Sequence, residues 1–244
     1  MDFLNFSIIQ ANIYYSYIKQ SDWAVLDTLF SLLPAARQTQ LERRRTAHSS
    51  QSIAATALLA VALQHREEIS KNMSPIPINP ARLLGDEGRD ALRRFPGDWV
   101  LSASGQPFPD GIPIKQKQRY VSLSHSGPLI AVALSDKPIG LDVQEAVPAD
   151  ASAIFRRFAH PEEKMWMGNA TGEAFLRWWT CKEAVVKLTG EGLARPFSQF
   201  AVLPAEQDSC YYTSLADKPV SLCCLPLGKG IAAVAHYSTP FFLK

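Results

Sequence analysis

The stretch WWTCKEAVVKLTGEGL, residues 178–193, constrains the fold and the chemistry of this chain more than any other. Its apolar residues recur at helical spacing, and the glycines at its end are typical of a helix terminus. It nevertheless carries Lys182, Glu183 and Lys187 among tryptophan, alanine and valine. Because residues four apart share one helix face, Trp179, Glu183 and Lys187 form a single row. The sequence therefore predicts an amphipathic helix with charged groups on a half-buried face.

A surface ion pair between Glu183 and Lys187 is the simplest explanation of this row, and such pairs stabilise a helix by only ~0.3–0.5 kcal/mol. A second acidic position argues for a larger role. In IGLDVQE, strand alternation places Asp142 and Gln144 on one face and Glu145 on the opposite face. If Asp142 projects beside the glutamate of a half-buried helix, the two carboxylates repel each other unless a cation lies between them.

Magnesium is the cation that best matches these side chains. It takes oxygen ligands, keeps several waters and is usually held by one or two carboxylates together with substrate phosphates. Asp142 and Glu183 supply two carboxylates, and Lys187, one turn beyond Glu183, can reach a phosphate oxygen on the same metal. The sequence therefore predicts a magnesium and phosphate site at this helix.

The segment SLSHSG, residues 122–127, offers further phosphate contacts. Its serines and His125 can donate hydrogen bonds to phosphate oxygens, as hydroxyl-rich turns often do. A single histidine is more often a structural residue, but here serines and a glycine flank it. Both a structural and a phosphate-binding role for His125 are therefore open at this point.

The composition excludes several classes of protein. The 244 residues are 47% hydrophobic and 20% charged with a formal net charge of +2, which is typical of a soluble globular protein and does not suggest nucleic-acid binding. The apolar runs are shorter than the roughly 18–20 residues needed to cross a bilayer, and the N-terminus lacks the pattern of a signal peptide. We expect a cytoplasmic protein with no membrane partner and with four reduced cysteine thiols.

The order of predicted elements indicates two similar halves. In the first half, a strand in IIQANIYYSYI precedes the segment LLPAARQTQLERRR and an alanine-rich helix. In the second half, strands in LIAVALS and IGLDVQE precede the segment FAHPEEKMWM and the charged helix. The proline-containing residues 72–98 are predicted to form an irregular surface linker. The pattern favours an α+β fold with two lobes, residues 1–115 and 116–244, each with helices against an antiparallel sheet.

Taken in order, SLSHSG, IGLDVQ, FAHPEE and WWTCKEAVVKLTGEGL resemble the 4′-phosphopantetheinyl transferases of the larger, single-chain, Sfp-like type. The resemblance rests on the G-x-D strand, the W-x-x-K-E-A-x-x-K helix with its glycine-rich end, and the SHSG turn. Each motif alone is short, but the ordered set is specific. These matches cover roughly half of the chain.

The resemblance implies a pseudo-dimer of two similar lobes with coenzyme A and Mg²⁺ in the cleft between them. It implies an enzyme that passes the 4′-phosphopantetheine arm of its co-substrate coenzyme A to a serine of an apo acyl carrier protein or peptidyl carrier domain, and that releases adenosine 3′,5′-bisphosphate. We expect a monomer whose carrier partner docks on a basic and apolar face. The candidate segment for that face is FRRFAHPEEKMWM, residues 155–167.

Carried over to this chain, the resemblance makes Asp142, Gln144 and Glu183 metal ligands. Glu183 and Lys187 are the expected catalytic residues: Glu183 helps to deprotonate the carrier serine, and Lys187 contacts the pyrophosphate. Lys182, beside this row, is assigned to coenzyme A binding. The other implied coenzyme A contacts lie in the SHSG turn, in a turn that resembles the family's G-K-P sequence and in a basic N-terminal cluster: Ser124, His125, Gly105, Gln106, Pro107, Arg43, Arg44 and Arg45.

Two positions depart from the family pattern. The family commonly has an acidic residue where this chain has Gln144, and a lysine where it has Gln106. A glutamine carbonyl can ligate magnesium or hold a metal-bound water, but it adds no charge, so we expect weaker metal binding.

Two other functions remain open from the sequence. A non-catalytic relative would bind coenzyme A or a carrier protein without transferring the arm, and Gln144 and Gln106 favour this alternative. A scaffold protein would use SHSG as an ordinary turn and the helix pair as a surface salt bridge, but it does not explain why the motifs occur together in order.

Overall fold

The structure, a computed structural model, describes residues 10–44, 49–65, 73–95, 98–102, 107–108, 110–114, 117–191, 195–206 and 208–238. Within these residues the chain forms two five-stranded sheets. The first has the order β2-β1-β5-β4-β3, with β1 (Asn12–Tyr17), β2 (Ile76–Pro77), β3 (Ile112–Ile114), β4 (Lys117–Ser126) and β5 (Leu129–Ser135). The second has the order β6-β10-β9-β8-β7, with β6 (Ile139–Gln144), β7 (Leu203–Pro204), β8 (Cys210–Leu215), β9 (Lys218–Leu227) and β10 (Gly230–Tyr237).

Helices pack on both sheets. Those of the N-terminal lobe are α1 (Trp23–Phe30), α2 (Ala35–Arg44), α3 (Ser49–Gln64), α4 (Pro80–Leu84) and α5 (Asp86–Arg93). Those of the C-terminal lobe are α6 (Ala151–Phe158), α7 (Pro161–Met167) and α8 (Gly172–Thr189). Apart from the parallel pair of β1 and β2, the strand pairs are antiparallel. The predicted α+β class with antiparallel sheets is confirmed.

The two lobes share the arrangement of four strands, β1-β5-β4-β3 and β6-β10-β9-β8, as the repeated order of elements predicts. In each, the first long strand pairs with the last strand of the lobe: β1 with β5, and β6 with β10. In each, the last strand also forms a hairpin with the strand before it, β4 or β9. One long helix, α3 or α8, packs against each sheet. The chain is therefore a pseudo-dimer of two similar lobes.

The predicted boundary between residues 115 and 116 is wrong, because β4 and β5 belong to the first sheet. Strand β5 is buried along its whole length and pairs with β1 on one edge and β4 on the other. An apolar strand of this kind needs both neighbours to satisfy its backbone groups. The sheets divide at the short turn between Ser135 and Ile139.

The predicted linker, residues 72–98, also folds more regularly than expected. Pro77 lies in β2, and Pro80 lies at the first position of α4, where a missing amide hydrogen costs little. Leu83 of α4 and Leu92 of α5 are buried in the N-terminal core. The segment is therefore part of the lobe rather than a connection between domains.

Three main layers of apolar packing hold the lobes together. Helices α1, α3, α4 and α5 cover one face of the N-terminal sheet, and α8 covers one face of the C-terminal sheet. Between the sheets lies a third core, which includes Ile13, Ala131, Leu141 and Val234. Alternate residues of β6 therefore face this core or helix α8. Among the described residues, no helix has both the length and the apolarity of a membrane span.

Candidate active site

Helix α8 carries the charged row and ends where the sequence predicts. Gly190 follows Thr189 with a φ of 72°, a left-handed conformation that closes the helix and that glycine adopts readily. The helix begins earlier than the predicted stretch, at Gly172. Trp179, Glu183 and Lys187 are all half-buried, as expected for a row at the margin between core and solvent.

Gly140 brings this helix close to β6. A Cβ atom on Gly140 would lie 2.0 Å from the carbonyl oxygen of Ala184 and 2.6 Å from the amide nitrogen of Leu188, both on the helix backbone. Only glycine permits this approach. The glycine of the G-x-D motif therefore has a packing role, since it lets Asp142 reach the side chains of α8.

Three serines of β4 join the two lobes at the site. Their hydroxyl oxygens accept hydrogen bonds from alternate backbone amides at the outer edge of β6. The pairs are Ser122 with Leu141 at 2.9 Å, Ser124 with Val143 at 3.2 Å, and Ser126 with Glu145 at 3.1 Å. We call this set the serine ladder. Because it uses every second residue of both strands, it fixes the register of β6 against β4.

Asp142 lies at the centre of the site. Its Oδ1 atom accepts a hydrogen bond from the Ser124 hydroxyl at 2.7 Å and forms an ion pair with Lys187 Nζ at 2.8 Å. The Asp142 side chain is 5% exposed and that of Lys187 is 28% exposed. Lys187 also donates to the Ser124 hydroxyl at 2.8 Å and to the carbonyl oxygen of Leu123 at 3.3 Å. The lysine from one lobe is thus held by groups from both.

Ser124 does not fit its predicted role as a contact of coenzyme A phosphates. Its hydroxyl donates to Asp142 and accepts from Lys187 and from the Val143 amide. A hydroxyl has one donor and two acceptor sites, so these three bonds use its full capacity. In this structure Ser124 orients Asp142 and Lys187.

Gln144 lies on the same face of β6 as Asp142, as strand alternation predicts. Its amide nitrogen donates to Asp142 Oδ2 at 3.1 Å, and its amide oxygen accepts from the Ser126 hydroxyl at 3.3 Å. Glu145 follows the strand, and its carboxylate lies against Gly127 in the β4–β5 turn. The neutral amide, not the adjacent carboxylate, therefore accompanies Asp142.

Glu183 completes the acidic pair. The pKa of Glu183 is raised to about 7, first by burial and then by the charge of Asp142, against the opposing charge of Lys187. The carboxylates of Asp142 and Glu183 thus interact electrostatically, as the sequence suggests. Among the described residues no three His, Cys, Asp or Glu side chains cluster well enough to hold a metal. A metal at this site would take two carboxylates and a neutral third group.

Lys182 is not part of this cluster, and its predicted contact with coenzyme A is wrong for this structure. Its side chain has no exposed surface, and its ammonium pairs with the equally buried Glu163 at 2.7 Å. It also donates to the carbonyl oxygens of Phe197 and Phe200. Burial lowers the pKa of Lys182 to about 8, against the attraction of Glu163. The residue cross-links α8, α7 and the segment before β7.

The other predicted contacts of coenzyme A are only partly described. His125 is half-buried on β4, and strand alternation points its side chain away from the Ser124 face. Pro107 forms an isolated bridge with Leu101, and Arg43 is exposed near the end of α2. Arg45, Gly105, Gln106 and the side chain of Arg44 lie outside the described residues. Their roles stay predictions.

The sequence analysis gives the serines of SLSHSG as phosphate donors and does not predict the serine ladder. Ser122 and Ser126 carry this ladder on either side of Ser124, and their spacing of two along a strand is a signal for it. Glu163 also escaped notice, although it gives Lys182 its partner and bonds the amides of His160 and Val202. No sequence signal links Glu163 to Lys182, because they lie on different helices.

Comparison with known proteins gives a consistent result. A family model described as the 4′-phosphopantetheinyl transferase superfamily matches residues 138–234, a range that starts at the junction of the lobes. The matched range contains Asp142, Gln144, Glu183 and Lys187.

Individual relatives carry the same name. The chain is 34% identical over 112 residues to a 4′-phosphopantetheinyl transferase of Bacillus pumilus, covering 44% of this chain and 46% of the relative. It is 26% identical over 122 residues to one of Aneurinibacillus migulanus, covering 48% of each. It is 30% identical over 186 residues to the 4′-phosphopantetheinyl transferase AcpT of Escherichia coli, covering 70% of this chain and 88% of the relative. The chain thus spans about half the length of the first two relatives and most of the third.

Proposed function

Since the chain belongs to the 4′-phosphopantetheinyl transferase superfamily, we propose that it transfers the 4′-phosphopantetheine arm of coenzyme A to a serine of an apo acyl or peptidyl carrier protein. The second product is adenosine 3′,5′-bisphosphate. The observation that carries this proposal is the cluster of Asp142, Glu183 and Lys187, in which a buried acid, a half-buried acid and one ammonium meet at the junction of the lobes.

Asp142, Glu183 and the amide oxygen of Gln144 would hold Mg²⁺ in this proposal. The donors are oxygen atoms, the type that magnesium prefers, and the two acids repel each other without a cation between them. When bound, the ion supplies positive charge that stabilises the pyrophosphate of coenzyme A during transfer. Gln144 must release the hydrogen bond from its amide nitrogen to Asp142 if it rotates its oxygen toward the ion.

Lys187 is proposed to contact the reacting phosphate. The Lys187 side chain is partly exposed, and its ammonium lies at hydrogen-bond distance from Asp142. When the ammonium leaves this carboxylate, it can donate a hydrogen bond to a phosphate oxygen instead. Negative charge grows on those oxygens as the carrier serine attacks, and a fixed cation in a partly dry site stabilises that charge.

Glu183 is proposed to accept the proton of the carrier serine. A group acts best as a general base when its pKa lies near the working pH, and the pKa of Glu183 is raised to about 7. The first cause of this shift is burial, which also keeps bulk water from competing with the serine hydroxyl. The rigid helix α8 presents this base one turn from Lys187.

The surface of α6 and α7 is proposed to receive the carrier protein. Met165 is 84% exposed and Trp166 is 44% exposed, while Arg156 and Arg157 supply positive charge on the neighbouring helix. Such a mixed apolar and basic face suits an acidic carrier helix. Phe155, at the start of the candidate segment, is fully buried and belongs to the core instead.

The direct test is to incubate the protein with coenzyme A, Mg²⁺ and apo carrier proteins, and to follow the carrier by intact-mass spectrometry. We expect the carrier to gain one phosphopantetheine arm, and removal of Mg²⁺ by a chelator to stop the gain. Asp142→Ala and Glu183→Ala should each nearly abolish transfer while the protein stays folded. Glu145→Gln, next to the site but turned toward Gly127, is the matched control and should remain active.

A non-catalytic relative remains the second candidate, because Gln144 supplies no charge to the site. That candidate predicts Mg²⁺-dependent binding of coenzyme A in calorimetry without a change in the mass of any carrier. Absence of both binding and transfer would contradict both candidates.

A further inference from the structure

The core of the C-terminal lobe contains two pairs of cysteine thiols. Cys181 of α8 and Cys224 of β9 have their sulfur atoms 3.4 Å apart, and both side chains are buried. Cys210 of β8 and Cys223 of β9 are opposite each other in the sheet, with sulfur atoms 4.0 Å apart. All four are reduced. The first pair joins the helix that carries Glu183 to the sheet beneath it.

A cavity of about 310 Å³ is lined by Arg177, a residue that interacts with Cys224. It opens between α7, α8 and β8, and its wall includes Arg177, Trp178 and Tyr211. The guanidinium of Arg177 interacts with the Cys224 thiol and donates a hydrogen bond to the hydroxyl of Ser209. The carbonyl oxygen of Ser209 in turn accepts a hydrogen bond from the Cys224 amide at 2.7 Å. The cavity wall and the Cys224 thiol therefore share one neighbour, the side chain of Arg177.

We propose that Cys181 and Cys224 form a dithiol that hydroperoxides oxidise to a disulfide, and that the oxidant reaches Cys224 through this cavity. The proposal concerns a modification site and does not depend on the transferase activity. The two pairs differ in the pKa of their thiols, which governs thiol reactivity. The hydrogen bond from Cys181, followed by the charge of Arg177, lowers the pKa of Cys224, whereas burial raises the pKa of Cys223 to about 12.

The reaction balances without a further reductant. The Cys224 thiolate attacks one oxygen of the hydroperoxide, the O–O bond breaks, and the alcohol leaves after taking up a proton, so that Cys224 becomes a sulfenic acid. The Cys181 sulfur then attacks the Cys224 sulfur, the S–O bond breaks, and water leaves with the thiol proton. Two thiols and one hydroperoxide give one disulfide, one alcohol and one water; with hydrogen peroxide, both leaving molecules are water.

Closure of the bond needs a small movement. A disulfide is about 2.05 Å long, so the two sulfur atoms must approach by about 1.3 Å from their separation of 3.4 Å. The bond would tie the turn of α8 just before Glu183 to β9. It would also close a loop between residues that are 43 positions apart, so we expect the oxidised protein to unfold at a higher temperature.

The test treats the full chain with hydrogen peroxide, blocks remaining thiols with an alkylating reagent under denaturing conditions, and maps the disulfide by peptide mass spectrometry. We expect the alkylated thiols to fall from four to two, with Cys181 linked to Cys224 and with full recovery after dithiothreitol. Peptides that link Cys210 to Cys223, four thiols that stay reduced, or sulfinic acid without a disulfide would each overturn the proposal.

Three variants test which cysteines form the disulfide and whether the oxidant enters through the cavity. Cys224→Ala should leave no disulfide, whereas Cys223→Ala, one residue away on the same strand, should still form the link between Cys181 and Cys224. Ala174→Trp places a large ring in the wall of the cavity and should slow disulfide formation severalfold. An unchanged rate in that variant would refute the cavity as the route, and the wild-type peptide map decides the pairing even if Cys224→Ala fails to fold.

Discussion

The ammonium of Lys187 lies 2.8 Å from the Oδ1 atom of Asp142, so a residue proposed to bind phosphate is paired with one proposed to bind metal. The two groups belong to different elements, α8 and β6, and Ser124 of the other lobe contacts both. This relationship makes the site a shared product of the two lobes. In the proposed reaction, each group has to exchange partners when coenzyme A binds.

Lys187→Met should lower the turnover number by about 10²-fold or more, the effect expected when one donor to a charged transition state is lost. Methionine keeps much of the length and packing of the lysine stem. Steady-state kinetics with varied coenzyme A provide the measurement, and Lys137→Met, at an exposed lysine in the turn between the sheets, is the control. A variant with a normal turnover number and only a raised Michaelis constant would show that Lys187 is not at the reacting phosphate.

Glu183→Gln should stabilise the metal-free protein at pH 8 but much less at pH 5. The pKa of Glu183 is raised from 4.5 to about 7 in the folded state, so the folded protein binds more protons than the unfolded chain between these values and loses stability as the pH rises through them. The full cost, on the order of 3 kcal/mol, is reached above pH 7.

Thermal unfolding in a chelating buffer at the two pH values tests this prediction. Glu206→Gln, at an exposed position, is the matched control. Equal effects of Glu183→Gln at pH 5 and pH 8 would mean that the carboxylate is not held in a buried, acidic environment.

Gln144→Glu should reduce the Mg²⁺ concentration needed for half-maximal transfer, because it adds a carboxylate next to Asp142. Without Mg²⁺ the same variant should be less stable than wild type at pH 8, since three acids then share the site. Magnesium titrations of activity and thermal unfolding give the two measurements. If both stay unchanged in the folded variant, position 144 does not face the ion.

Lys182→Met should destabilise the fold by about 3–5 kcal/mol, because it leaves the buried carboxylate of Glu163 without its partner. The exposed pair of Arg195 and Glu191 provides the contrast: Glu191→Gln should change stability by less than about 1 kcal/mol. Urea unfolding measures both. A Lys182→Met protein of normal stability but with weakened coenzyme A binding would restore the role that the sequence suggested for this lysine.

Ser124→Ala should lower transfer by about 10-fold or more, as does the loss of other groups that orient metal ligands. Ser122→Ala removes the same kind of hydrogen bond from the serine ladder, but among the described residues the Ser122 hydroxyl bonds only the Leu141 amide. It should therefore cost stability without the loss of turnover. Similar kinetics for the two variants would assign Ser124 to the ladder alone.

The sequence predicts those parts of the site that depend on periodicity. The row from Trp179 to Lys187 and the shared face of Asp142 and Gln144 follow from helix and strand geometry, and both are found. The burial of Lys182 could not be predicted from the sequence. A helix rotates by about 100° per residue, so Lys182 points away from the row that contains Glu183. Only the position of α7 decides whether the Lys182 side chain meets solvent or Glu163. The predicted position of the lobe boundary was wrong for a related reason. An apolar strand such as β5 fits either sheet until its partners are known.

The serine ladder also protects an otherwise open strand. Among the strands that the structure describes, β6 is an edge of the C-terminal sheet and pairs with β10 alone. Unpaired amides along such an edge can recruit a strand from another molecule and seed aggregation. The hydroxyls of Ser122, Ser124 and Ser126 occupy these amides without merging the sheets into one. A fragment limited to the matched range, residues 138–234, would expose that edge, and we expect it to self-associate where the full chain does not.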